Sequence, residues 1–306
     1  MQKVFVIILH YNGYRDTLEC LESLQKVNLS KETSIEIVVV DNAPKDKFKV
    51  QSSKFKVDKV EVIRNEKNLG FAGGNNVGIR YALKNGADYV LILNNDTYVD
   101  KNFLEELLKA AGKDDKIGIV VPKIYFAPGF EFHKNRYTPK ELGKVFWYAG
   151  GEMDWNNVIG HHRGVDLVDK GQFDKAEETD IATGCCMMVK KQVFDKIGLF
   201  DEKFYLYYED ADLSEKTKKA GYKIVYVPKS ILWHKNAGSA GGSGSGLQDY
   251  YITRNRLLFG ISYAPVRAKF ALFRESLKIL LSGRYWQKRG VLDFYFNKFG
   301  KGSFKI

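Results

Sequence analysis

An α/β chain with a doubly wound, mainly parallel sheet is what this sequence predicts, and three observations carry the prediction. Short β-rich runs alternate with helical patterns through residues 1–125, the signature of strands joined by crossover helices. A hydrophobic content of 44% over 306 residues supplies enough apolar material for a large core. The residues that follow the strands are unusually polar, and the carboxyl ends of the strands are where an open α/β sheet collects its ligands.

Taken in order, the strands are read at Val4 to Leu9, Ile35 to Val40, Val60 to Ile63, Tyr89 to Leu93 and Ile117 to Val121. A helix with Leu18, Leu21 and Leu24 on one face lies between the first two. A second is expected from about Asn76 to Lys84. A third begins near Asp100 as N-cap and turns Phe103, Leu104, Leu107, Leu108 and Ala111 to one side. From Phe126 to Glu178 the alternation gives way to a polar, aromatic, glycine-punctuated stretch, read as an elaborated or small antiparallel part. Regular signals resume with a strand at Cys185 to Val189, a helix closed by Gly198, a helix from Asp210 to Ala220 closed by Gly221, and a strand at Lys223 to Val227. Residues 237–246 read AGSAGGSGSG, a composition suited to a mobile lid or an inert linker.

Several classes are excluded. The longest aliphatic and aromatic run, Val4 to Leu9, is far short of the roughly 20 residues of a spanning helix. No cleavable leader is expected ahead of the first strand, and the three cysteines cannot all pair within one molecule, so a reducing cytoplasm is the expected setting. No Walker-type loop is present, and the first strand–helix turn, Tyr11-Asn12-Gly13-Tyr14, lacks the dinucleotide glycine fingerprint. Charge is uneven: residues 251–306 hold twelve Lys or Arg against Glu275 and Asp293, ten of the eleven net positive charges. Twelve aromatics share that tail, a mixture that suits either an anionic membrane surface or a nucleic acid.

The chemistry-bearing residues cluster at the strand ends. Tyr11 and Asn12 follow the first strand, Asp41 ends the second, Asn68, Gly70, Gly74 and Asn75 follow the third, and Asn94, Asn95 and Asp96 end the fourth. Each alone reads as a turn. Together on one sheet edge they suit a nucleotide, with Asp41 accepting from a base or ribose donor and the glycine-rich segment offering backbone N–H groups to a phosphate. Asp96 is placed to meet a hard divalent cation shared with a diphosphate, Mg²⁺ or Mn²⁺, with an N-cap as the competing reading. In Tyr207-Tyr208-Glu209-Asp210-Ala211-Asp212, three carboxylates within four positions repel one another, a setting that raises a pKa and makes a general base. Asp212 serves the helix terminus while Asp210 faces the ligand. His234 stands beside the glycine-rich segment as a metal-ligand candidate. Cys185 and Cys186 read as core, and His161-His162 as an exposed loop feature rather than a zinc site.

The ordered set of Tyr11-Asn12, VVVDNA (38–43), NLGFAGGNNVG (68–78), LNND (93–96), ATGCCMMVKK (182–191), YYEDADLS (207–214) and WHKNAGS (233–239) resembles glycosyltransferase family 2, most of all its rhamnosyltransferase-like branch, over roughly residues 3–260. The resemblance implies a GT-A fold, a nucleotide-diphosphate-sugar donor such as a dTDP- or UDP-sugar, a divalent metal and inversion at the anomeric carbon. It implies Asp41 at the nucleobase, Asp96 as the last acid of a DxD-like element, Asp210 as catalytic base and His234 as a further metal contact. Asn94 stands where that element has its first acid. The QxxRW element of processive synthases is absent and Tyr250 to Asn255 stands instead, which favours addition of a single sugar, with Arg254 a candidate for phosphate or acceptor contact.

The expected organisation is a catalytic domain over 1–246 and a basic, aromatic extension over 247–306. In the extension, Phe270, Phe273, Leu277, Leu280 and Leu281 share a helix face beside Arg267, Arg274 and Lys278, as in an interfacial helix. A helix packed on the core with a basic rim is the other reading. With a membrane contact the acceptor is a glycan carried on a lipid and the enzyme is peripheral at the cytoplasmic leaflet; nucleic acid is not an expected partner of such an enzyme. Two other classes remain: a sugar-1-phosphate nucleotidyltransferase, for which no signature loop is found, and a non-catalytic carbohydrate- or nucleic-acid-binding protein, which leaves the acidic cluster without work.

Overall fold

The computed structural model describes residues 1–43, 60–236 and 244–305. Its elements begin with β1 (Gln2–His10), α1 (Tyr14–Leu24), β2 (Thr33–Asp41), β3 (Val60–Arg64), α2 (Gly70–Lys84), β4 (Tyr89–Asn94), β5 (Thr97–Val99), α3 (Phe103–Ala111) and β6 (Ile117–Phe126). There follow β7 (Phe146–Tyr148), β8 (Gly151–Asp154), β9 (Ile159–His162), β10 (Glu177–Glu178), β11 (Cys186–Lys190), α4 (Lys191–Ile197), α5 (Glu209–Lys219) and β12 (Lys223–His234). Three helices close the chain: α6 (Gly246–Tyr263), α7 (Val266–Ser282) and α8 (Tyr285–Tyr295).

The main sheet runs β10-β12-β6-β11-β4-β1-β2-β3. Pairs β1/β2, β1/β4, β2/β3 and β6/β12 are parallel, while β11 is inserted antiparallel between β4 and β6. The apolar runs are central strands because both faces are covered: Val4 to Ile8 and Val38 to Val40 have no solvent exposure. Helix α1 turns Leu21 and Leu24 inward as its spacing predicts, with Cys20 beside them, while Leu18 of the expected face is half-buried. The stretch after Phe126 contributes the antiparallel pieces β7 and β10 to the sheet and a separate β8–β9 hairpin.

Four boundaries differ from the sequence reading. Helix α2 starts at Gly70, six residues before the expected Asn76, because its glycines are helical contact points: a Cβ on Gly74 would collide with Leu9, and one on Gly78 with Ile7 and Val40. Glycine's low helix propensity is overridden there by close approach of the helix to β1 and β2. Asp100 is not the N-cap of α3; Asn102 is, and the Asp100 carboxylate accepts from the Asn102 N–H at 2.8 Å. Strands β6 and β12 run on through Pro122 and Pro228, since their shared register breaks between Val227 and Ile231 and the missing N–H groups fall at that irregularity. The continuation of β12 carries His234 to the sheet edge.

The positively charged segment is helical, and its first helix is wedged into the molecule: Tyr250, Tyr251, Arg254 and Asn255 of α6 are fully buried. Among the described residues no helix is long and apolar enough to cross a membrane. The lid-or-linker segment lies, from 237 to 243, outside the described residues.

Candidate active site

The carboxyl edge of the sheet is assembled by side-chain amides. His10 and Asp41 are register partners at the ends of β1 and β2. Asp41 is buried, accepts the Ala43 N–H at 3.2 Å and has Arg64 Nε 3.7 Å from its other oxygen. Asn42 ties the edge together: its Nδ2 donates to Asn68 Oδ1 (2.9 Å) and Gly70 O (3.1 Å), while its Oδ1 accepts from Asn65 Nδ2 and the Leu69 N–H, both at 3.0 Å. Asn68 in turn accepts the Gly70 N–H at 2.8 Å.

That wiring corrects the expected phosphate cradle. The first amides of α2 are already committed, Gly70 to Asn68 and both Phe71 and Ala72 to the Tyr205 carbonyl at 2.7 and 3.3 Å. Gly70 has φ +73°, and a Cβ there would run into Tyr205. Gly70 and Gly74 are therefore packing glycines. Asn75 is buried with Nδ2 donating to Phe71 O at 3.0 Å, and its Oδ1 has no partner.

At the end of β4, the Asn94 N–H donates to Cys185 O at 2.9 Å. Asn95 Nδ2 donates to Asn12 O (2.8 Å) and Thr17 Oγ1 (2.9 Å), and Thr17 also contacts His10 Nδ1 at 2.8 Å, so Asn95 locks the turn after β1. Tyr11 and Asn12 stay exposed on that rim. Asp96 and His234 meet: Nε2 lies 3.1 Å from Asp96 Oδ1, the imidazole is buried and its Nδ1 has no partner among the described residues. Among the described residues no three His, Cys, Asp or Glu side chains gather round one point. One carboxylate and one imidazole still fit Mg²⁺ or Mn²⁺, ions that keep waters and take further oxygens from a substrate's phosphates.

Asp210 comes from a different element. It stands in the first turn of α5, reached through a stretch in which Tyr205, Tyr207 and Tyr208 all have positive φ (66°, 69° and 72°). Each such residue costs of order 1–3 kcal/mol and persists only where surrounding contacts enforce it. Its Oδ2 accepts the Gly184 N–H at 2.9 Å and its Oδ1 the Ala211 N–H at 2.8 Å. Burial raises its pKa, and these backbone donors hold the rise in check. Gly184 precedes Cys185, the partner of Asn94, so the two acidic positions share one edge. Glu209 is buried with Oε2 unpartnered among the described residues, and burial, reinforced by the Asp210 charge, pushes its carboxyl well up. Asp212 is structural, with Lys216 Nζ at 2.7 Å and the Tyr263 hydroxyl donating at 2.7 Å.

Arg254 is corrected. Its guanidinium is saturated by the protein: Nε donates to Asn255 Oδ1 at 2.9 Å, one terminal nitrogen to Gly300 O at 2.8 Å and, at 3.4 Å, to the Tyr250 hydroxyl and Lys298 O, the other to Lys203 O and Phe204 O at 3.1 and 3.0 Å. No donor is left for a phosphate. Beside it, Asn255 Nδ2 donates to the carbonyls of Phe204, Leu206 and Tyr207, each at 2.8 Å. These two residues hold the strained stretch that delivers Asp210. His161 is exposed as expected, but His162 is not a loop feature. It lies in β9 with its ring centroid 4.3 Å from that of Trp147, whose other neighbour is His234 at 4.6 Å. Burial holds His162 down to about 4, and it is neutral at physiological pH. Trp147 and Tyr205 carry no local signal in the sequence, and His162 and Asn255 appear there without these roles. A cavity of about 540 Å³ lined by Tyr98, Tyr125, Lys144, Asp169 and Trp233 contains none of the site residues.

A mixed sheet with β11 inserted antiparallel, a carboxylate–imidazole pair at the end of β4 and a buried acid opening α5 define a GT-A glycosyltransferase. The chain belongs to glycosyl transferase family 2, whose model matches residues 5–198. A low-salt glycan biosynthesis hexosyltransferase of Haloferax volcanii, Agl10, is 26% identical over 91% of this chain and 81% of its own length. The N-acetylglucosaminyl-diphospho-decaprenol L-rhamnosyltransferase of Mycobacterium tuberculosis is 25% identical over 71% of this chain and 72% of its own. Among solved structures, GalNAc-T7 with UDP, GalNAc and Mn²⁺ superposes with a TM-score of 0.58 at 18% identity, over 97% of this chain and 57% of that one, a likeness of fold.

Proposed function

We propose that this glycosyltransferase moves one sugar, rhamnose in the first instance, from a dTDP- or UDP-linked donor to a hydroxyl of a lipid-linked glycan, with inversion and with a divalent metal. The observation that carries the reading is the meeting on one sheet edge of the Asp96–His234 pair and the Asp210 carboxylate, tied through Gly184, Cys185 and Asn94. The similarity to a rhamnosyltransferase acting on a decaprenol-linked sugar supports the donor and acceptor. We place the enzyme in the cytoplasm, at the inner face of the cell membrane where such an acceptor is displayed.

In this reading Asp41 and the Asn42 network receive the nucleoside and Asp96 with His234 hold the metal. That ion, when bound, neutralises charge developing on the leaving diphosphate. Asp210 accepts the proton of the acceptor hydroxyl as its oxygen bonds to the anomeric carbon, and the bond from that carbon to the diphosphate oxygen breaks on the far side. The raised pKa of Asp210 suits it to hold a proton transiently, and transfer falls on the acid side as that carboxylate protonates, above the usual aspartate range. The Gly184 N–H fixes the direction of its carboxylate, and Trp147 and His162 wall the metal side.

The test is transfer from a panel of dTDP-, UDP- and GDP-sugars, with a thermal-shift readout of donor binding. Asp210→Asn is expected to keep the donor-induced shift and lose about two to four decades of kcat. A chelator is expected to abolish transfer and Mg²⁺ or Mn²⁺ to restore it. Undiminished turnover in the variant removes Asp210 from the role, and full activity in chelator removes the metal.

A further inference from the structure

Helix α7 has one face that the fold uses and one that it leaves bare. Ala268, Leu272 and Ser276 are buried; Leu272 fills the space over Gly260 of α6, and Ser276 Oγ lies 2.7 Å from the Tyr295 hydroxyl of α8. Leu280, expected on the interfacial face, is instead half-buried beside the same core, as is Ile279. The opposite side carries Val266, Phe270, Phe273, Leu277 and Leu281, at 68, 69, 50, 45 and 83% exposure. They recur every three or four residues and so form one stripe. Scattered exposed apolar residues are ordinary, but a continuous stripe that includes two phenylalanines marks a contact surface.

The rim of the stripe is basic. Arg267, Arg274 and Lys278 are exposed on it, and the acid within α7, Glu275, is engaged by Arg256 at 2.7 Å. Lys288 follows in the first turn of α8, whereas Arg284, its N-cap, is held by the Asp249 carboxylate of α6. The charge argues for one occupant. A second copy seated on this face would bring two like-charged rims together in a self-complementary contact, within a segment that carries ten net positive charges. Anionic lipid headgroups complement the rim, while their acyl chains receive the phenylalanines and leucines.

We infer that the outer face of α7 lies in the plane of an anionic lipid surface, with Phe270, Phe273 and Leu281 entering the headgroup–acyl boundary. Ala268 and Leu272 on its inner side share one apolar cluster with Val158 of the β8–β9 turn, Phe204 before the Asp210 stretch, and Ala211 of α5. Docking α7 thereby sets the wall of the cleft that carries Asp210 close to the lipid. The inference gives the lipid-linked acceptor of the proposed reaction a place to be met, but the docking itself does not require that reaction.

Flotation of the full chain with phosphatidylcholine vesicles, with and without phosphatidylglycerol, tests it. Binding is expected to the anionic vesicles only and to be released by salt. Phe270→Ser/Phe273→Ser/Leu281→Ser is expected to weaken binding by at least about tenfold with an unchanged melting temperature, because these side chains touch no core. Arg267→Glu/Arg274→Glu/Lys278→Glu is expected to remove the salt-sensitive part. Failure of the parent to bind, equal binding by the serine variant, or a dimer in sedimentation that this variant splits would each overturn the inference. Vesicle binding by a chain that transfers no sugar would overturn the functional reading instead and leave the docking face standing.

Discussion

Asp96 reaches the cleft at the end of a regular strand, one of a row in which β1, β2 and β4 each stop at the same edge; Asp210 reaches it on a stretch bent through three left-handed tyrosines and held from behind by α6. On the first side, position follows from register: once Val4 to Leu9 and Tyr89 to Leu93 are buried in a parallel sheet, the polar residues after them have nowhere else to stand. On the second, position follows from clamps that cross about fifty residues, Arg254 and Asn255 to the carbonyls of 203–207. In the proposed reading the donor side of the site is a property of the sheet, and the side of Asp210 is a property of the C-terminal helices. A sequence segment that composition presents as an appendage thus holds the stretch leading to Asp210, the proposed catalytic base.

The sharpest test of that contrast is Arg254→Lys. A lysine keeps the charge but has three donors at one point instead of a planar fork, so the carbonyls of Lys203, Phe204 and Gly300 cannot all be satisfied. Losing a buried charged donor set costs about 3–5 kcal/mol, read as a lower melting temperature or denaturant midpoint. At temperatures where the variant remains folded, kcat is expected to fall while donor binding holds, since nothing on the strand edge is touched. A variant that kept both stability and kcat would show that α6 does not hold the base side.

Asn42→Ala probes the other side and is expected to be milder. It removes the four bonds that Asn42 makes to Asn68 Oδ1, Gly70 O, Asn65 Nδ2 and the Leu69 N–H, leaving Asn68 with the Gly70 N–H, at about 1–3 kcal/mol in denaturant unfolding. The kinetic signature is the reverse: weaker donor binding with little change in kcat for saturated enzyme. Equal loss of kcat would mean that the two sides are mechanically one.

This difference also sets what could be read without coordinates. Strands β1, β2, β3 and β4 were legible within two residues because burial on both faces writes itself as an apolar run, and Asp41, Asp96 and Asp210 were legible as acids at element ends. The start of α2 was not, because glycine reads locally as a breaker and only the positions of Leu9 and Ile7 explain its presence in a helix. Arg254 was misassigned for a related reason: a lone arginine near a nucleotide site looks like a phosphate ligand until its five donors are counted against carbonyls contributed from 203–204 and 300. Trp147, His162 and Tyr205 acquire meaning only through neighbours distant in sequence.

The smallest effect expected is on pH dependence. Glu209 is buried, one of its oxygens has no partner among the described residues, and its folded pKa is raised, so the native state favours the neutral acid whereas the unfolded chain ionises above about 4.3. Its contribution is therefore fully present in acid below that value and is lost as pH climbs from there toward the raised native pKa. The slope from one such group is at most about 1.4 kcal/mol per pH unit. Glu209→Gln removes it, and the variant's stability should fall less steeply with pH than the parent's across that window, with the two curves closest at the acid end. Since Glu209 sits between the strained tyrosines and Asp210, an unchanged slope would mean that its carboxyl finds a proton-independent partner, and that the buried acid beside the base is structural filling, not part of what tunes it.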